Sequence, residues 1–171
     1  LGKPAFLIVP SPAHRIDAKV FRDRYPGIKV VTPAGARTAV EQVVPVDDTD
    51  GKFDDPTVAF VTVPGTGGKE SALLVRRSAG TTLIVNDLIG HVRHPHGLGG
   101  RILSFLLAYG RHRPQVPRTI RLFVTDRKAL ASEFRRWGDL PDLRRIIVSH
   151  GDPITDDPSG QLRRLAGQFD S

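Results

Sequence analysis

The chain has 171 residues, no cysteine, no methionine, and 25 lysines and arginines against 18 acidic residues, a formal charge of +7. Disulfides and thiolate metal ligands are therefore excluded, and any metal must be held by histidine and carboxylate. No apolar run approaches twenty residues and no signal-peptide pattern opens the chain, so the expectation is a single cytoplasmic domain spanning residues 1–171, with no membrane span.

Taken in order, residues 5–9 (AFLIV) read as a buried strand ended by Pro10-Ser11-Pro12. Asp17 is placed to cap a helix with Val20 and Phe21 on one side, and Tyr25-Pro26-Gly27 stops it. Residues 29–32 form the next strand, which makes an α/β crossover. A short helix over 33–42 and an extended piece over 43–46 follow.

The character then changes. Segments 58–63, 71–76 and 81–85 are β-rich, the first two joined by Pro64-Gly65-Thr66-Gly67-Gly68 and the last two by Ser78-Ala79-Gly80. They read as antiparallel strands. Residues 90–100 are a loop dense in glycine and histidine, and 101–109 an apolar helix. Asp126 is a good N-cap for a helix through Trp137, followed by a strand over 144–149, a loop with His150, and a last helix over 159–169. This mixed order fits an α+β or layered α/β sandwich better than a regular doubly wound sheet.

The charge excess is nearly all arginine, spread as Arg76-Arg77, Arg135-Arg136, Arg144-Arg145 and Arg163-Arg164. Dispersed pairs of this kind read as a solvated basic surface rather than a nucleic-acid stripe, and aromatic residues for base stacking are few. The loop over 65–71 lacks the spacing and the Gly-Lys-Ser/Thr ending of a phosphate loop, and no Gly-x-Ser-x-Gly elbow occurs.

Three strand ends carry side chains that can bind metal: His14 and Asp17, then Asn86-Asp87, then His150. Each has an ordinary reading, as a helix cap, a turn residue or a structural histidine. Brought to one sheet edge, they would hold a divalent cation through nitrogen and oxygen. A separate loop places His91, His94 and His96 close together, read as an exposed loop or, alternatively, as a source of a replacement ligand.

With these blocks the chain resembles the metallo-β-lactamase fold superfamily, a four-layer αββα sandwich used mostly by metal-dependent hydrolases. Strand 6–9 with the loop to Asp17 and "YPGIKVVTP" resembles its first metal-binding block, "VPGTGGKESALLV" its Pro-Gly-His loop, "TTLIVNDLI" its aspartate block and "IIVSHG" its final histidine. The departures are a first block with only His14 and Asp17, and Thr66 where the loop histidine belongs.

The resemblance implies a degenerate branch that lacks the opening strands and most ligands. At most one divalent metal, Zn or Fe, is then expected on His14, Asp87 and His150, with Asp17 or Glu70 as a fourth ligand and Asp152 orienting His150. The implied activity is hydrolysis of a phosphoester, thioester or lactone in a small-molecule substrate. The alternative is a metal-free, non-catalytic scaffold that binds a partner or an anionic ligand. An edge left open by absent strands is one that a second copy of the chain would cover, as a homo-oligomer.

Overall fold

The computed structural model describes residues 2–92, 97 and 113–170. Strand β1 (Phe6–Ile8) leads through a 3-10 turn into helix α1 (Ala18–Arg24) and then strand β2 (Lys29–Val31), and the two strands pair in parallel with Ile8 opposite Val31. This is the expected crossover. A 3-10 turn (Ala34–Ala36) and helix α2 (Arg37–Glu41) follow. Val9, Ala18, Val30, Val40 and Val44 close a small core between these helices and the first sheet.

The second sheet has the order β3 (Val58–Thr62), β4 (Ser71–Arg77), β5 (Gly80–Val85), β6 (Leu143–Ile147). The first two pairings are antiparallel, as the loop sequences predict, whereas β6 runs parallel to β5. Parallel neighbours need a long crossover, and the chain supplies one that includes helices α3 (Arg118–Phe123) and α4 (Arg127–Gly138). Helix α5 (Pro158–Ala166) ends the order, extended by a 3-10 turn to Phe169.

Alternation along the strands divides the sheet's two faces. Ala72, Leu74, Leu83, Val85 and Ile146 pack against Leu130, Phe134, Trp137, Leu162 and Leu165 of α4 and α5 in the main core. The opposite row, Phe60, Leu73, Ile84 and Ile147 in register, is only partly covered. Ile8 of the first sheet lines a hollow of about 170 Å³ together with Leu73 and Ile84. The layers are thus helices, sheet, sheet, helices, a mixed α/β sandwich. No helix among the described residues is long and apolar enough to cross a membrane.

Several local expectations change. Asp17 precedes α1 but makes no side-chain cap bond, and Val20 and Phe21 are exposed while Ala18 is buried. Residues 43–46 form no strand; the extension of the first sheet is a single bridge between Val31 and Asp48. Ile147 is exposed because it lies on the partly covered face. Asp126 does cap α4, accepting from the Ala129 amide at 2.9 Å. The loop and helix expected over 90–100 and 101–109 lie mostly outside the described residues, as do His94 and His96.

The glycine-rich loop between β3 and β4 is a structural joint. Gly65 has φ +80°, and a Cβ there would fall 2.2 Å from the Asp126 carbonyl oxygen. Its own carbonyl accepts from the Thr125 amide at 2.8 Å, and the Gly68 carbonyl accepts from the Gly35 amide at 2.9 Å, so the loop ties α4 to the first half of the chain. Gly65→Ala is expected to lower stability by more than about 1 kcal/mol in denaturant unfolding. Gly27→Ala, with nothing within 4 Å of the new methyl, should be nearly neutral; equal effects from the two would contradict this role for Gly65.

Candidate metal centre

The register of the parallel pair decides the site. Ile84 lies opposite Ile147, so two and three residues further on Asn86 falls beside Ser149 and Asp87 beside His150. The loop after β1 reaches the same edge, where the Pro10 carbonyl accepts from the Ser71 amide at 3.0 Å. Three segments far apart in sequence thereby bring His14, Asp87 and His150 together, with one ligand atom from each within 4.8 Å of the others.

Each histidine lies near the spacing of donors that share an ion, measured to its own oxygen of Asp87. His14 Nε2 is 3.7 Å from Asp87 Oδ2, and His150 Nε2 is 3.1 Å from Asp87 Oδ1. Donors bound to Zn at about 2.0–2.2 Å stand roughly 3.3–3.6 Å apart, a value these separations bracket. Side-chain exposure is 15% for Asp87, 32% for His14 and 49% for His150, which leaves an approach from the histidine side.

Asp87 Oδ1 is buried and accepts no hydrogen bond, although His150 Nε2 is close. Two lone pairs facing at that distance repel unless a proton or a cation lies between them. A buried carboxylate oxygen left in this state is what a divalent ion would satisfy.

A polar network orients the histidine on β1's loop. Buried Asn86 accepts from Ser149 Oγ at 2.7 Å through Oδ1, and its amide nitrogen lies 3.0 Å from His14 Nδ1. Ser11 Oγ is also 3.0 Å from that Nδ1. When Nδ1 donates to Ser11, Nε2 presents its lone pair towards Asp87, the tautomer a ligand needs; when Nδ1 accepts from Asn86, Nε2 carries the proton. The same neighbours therefore serve a filled and a proton-bridged site.

Glu70 stands behind this network. Burial first, and the Asp87 charge second, push its carboxyl up to about 8, against opposing bonds from Asn86 and Ser11. Its Oε2 is buried without a partner. Glu70 and Asp17 both stand outside the ligand cluster, so neither fills the expected fourth position. Asp152 acts through its main chain: its carbonyl accepts from His91 Nδ1 at 2.9 Å, and its amide donates to the His91 carbonyl. Ser11, Asn86 and Ser149 are the contributors that sequence reasoning misses. Their signal is position, since Asn86 and Ser149 immediately precede a candidate ligand and Ser11 opens the turn that holds the third.

No protein-family model matches the chain, and no curated protein does. Solved structures do match. The metallo-β-lactamase from Pontibacter korlensis is 12% identical with a TM-score of 0.61, over 95% of this chain and 69% of that one. The enzyme from Erythrobacter litoralis gives 13% and 0.59, over 96% and 68%. FIM-1 from Pseudomonas aeruginosa, in its mono-zinc form, gives 14% and 0.55, over 95% and 66%. The chain therefore spans about two thirds of the length of these structures, and it has the metallo-β-lactamase fold.

The Glu70 environment has a measurable consequence. Folded Glu70 keeps its proton up to about pH 8, whereas the unfolded chain releases it near the ordinary 4.5. The folded state thus binds the extra proton between those values, and stability falls as pH rises through that window. In chelator-treated protein, the melting temperature of Glu70→Gln relative to wild type should climb steadily from about pH 5 to about pH 8. A constant difference would mean that Glu70 ionises normally.

Proposed function

We propose that this chain is a hydrolase of the metallo-β-lactamase fold that uses a single divalent ion, Zn or Fe, held by His14, Asp87 and His150. The observation that carries the reading is the convergence of His14 and His150 on the two oxygens of Asp87, one of which is buried without a hydrogen bond. When bound, such an ion supplies a Lewis acid that brings the pKa of water towards neutrality.

The chain's own residues prepare that site. Ser11 and Asn86 hold the rotation of the His14 ring through its Nδ1, and Ser149 fixes Asn86. Glu70, whose carboxyl burial and the Asp87 charge push up to about 8, stands behind the centre rather than in it. Two neutral imidazoles and one carboxylate suit one dication. Thr66 supports the same stoichiometry, since it is buried and its hydroxyl donates to the Val63 carbonyl at 2.8 Å, as a loop support. FIM-1, a neighbour in fold, takes a mono-zinc form. The substrate class is a small molecule with a phosphoester, thioester or lactone bond, the bonds that a metal-activated water attacks.

Metal content per chain tests this, on protein purified without an affinity tag or a chelating column. Near-stoichiometric metal is expected in wild type and loss of it in His150→Ala and Asp87→Asn. Ser11→Ala should weaken metal affinity by about 10–100-fold, because Ser11 accepts the Nδ1 proton of the ligating His14 tautomer. Hydrolysis of the three bond types should follow metal occupancy. A metal-free wild type, or full occupancy in both ligand variants, would sink the reading and return the chain to the non-catalytic alternative.

A further inference from the structure

On the far side of the His150 loop lies a second, polar cavity of about 280 Å³, lined by His91, Arg113, Pro114, Ile154, Asp156, Gln161 and Arg164. Two guanidinium groups share it. Arg164 is held in place, donating to the Pro114 carbonyl and, at 3.2 Å, to Gln161 Oε1. Burial, followed by the positive charge of Arg113, lowers its pKa from the ordinary value. Neither arginine has an acidic partner among the described residues, and Asp156, although in the wall, forms no ion pair with them. His91 is 1% exposed and fixed by its Nδ1 bond to the Asp152 carbonyl.

Six other arginines, Arg22, Arg37, Arg77, Arg135, Arg136 and Arg163, each pair with a carboxylate, and others such as Arg145 rest on neutral acceptors singly, whereas Arg113 and Arg164 line one cavity together. Two like charges are held around one polar hollow, one of them fixed by neutral acceptors, and the single Asp156 carboxylate in the wall leaves a net positive charge there that an anion would offset. Guanidinium forks match the tetrahedral oxygens of a phosphate, and the volume exceeds that of the phosphate alone.

We propose that this cavity is a binding site for a phosphate group, free or carried by a small organic monoester, with Arg113 and Arg164 as its ligands. The site is separate from the metal centre and does not depend on the hydrolase reading. The two are nevertheless joined by backbone, because the His91 amide donates to the His150 carbonyl at 3.0 Å.

The test is titration calorimetry of the full chain with inorganic phosphate and with glycerol phosphate, against sodium chloride at matched ionic strength. Phosphate is expected to bind wild type and Asp87→Asn alike, and Arg113→Gln should weaken it by about tenfold or more. Arg113→Glu should abolish binding while raising the melting temperature of the ligand-free chain, because it turns repulsion into an internal ion pair. Tighter binding of glycerol phosphate would assign the site to an organic monoester, and equal binding to free phosphate. Two results would overturn the proposal: a response no larger than that to chloride, or binding lost in Asp87→Asn but kept in Arg113→Gln, which would put the anion on the metal centre.

Discussion

The site depends on one buried amide. Asn86 reaches Ser149 with its oxygen and the Ser11–His14 turn with its nitrogen, so a single side chain ties the end of β6 to the loop after β1 across the sandwich. Parallel pairing of β5 and β6 makes this possible, because it brings both carboxyl ends to one edge and sets Asp87 beside His150. An antiparallel β6 would have sent His150 to the opposite edge. The crossover that buys this geometry is anchored by α4 and α5, whose Phe134, Trp137 and Leu162 fill the main core beneath the sheet.

Around that amide the electrostatics are arranged by burial. Asp87 and Glu70 are close enough to influence one another, and burial of Glu70 resolves the conflict by keeping it neutral. One buried oxygen of Asp87 is left facing His150 Nε2 at 3.1 Å. A buried carboxylate set between two histidines in this way is a common signature of groups kept for chemistry rather than for the fold.

Much of the scaffold was legible in the sequence because its signals are local. The crossover, the three antiparallel strands, the Asp126 cap and the strand before His150 all follow from periodicity, turn residues and capping chemistry. The positions of His14, Asp87 and His150 at strand ends were legible for the same reason, and the resemblance to a known fold brought them into one frame. The roles of Ser11, Asn86 and Ser149 were not, since an asparagine before an aspartate reads as a turn until the register of a distant strand is known. Val20 and Phe21 misled because their burial is set by what covers the helix, which composition does not encode. The Arg113 and Arg164 pair is invisible in a chain rich in scattered arginines; only the fold shows that these two share a cavity without a carboxylate partner.

The most direct test of the metal centre is X-ray absorption fine structure at the metal edge of protein loaded with one equivalent of zinc. Two imidazole nitrogens with oxygen donors completing the shell are predicted, falling to one imidazole in His14→Ala. Three or more imidazoles, or a spectrum unchanged in that variant, would place the ion elsewhere and contradict the assignment of His14, Asp87 and His150.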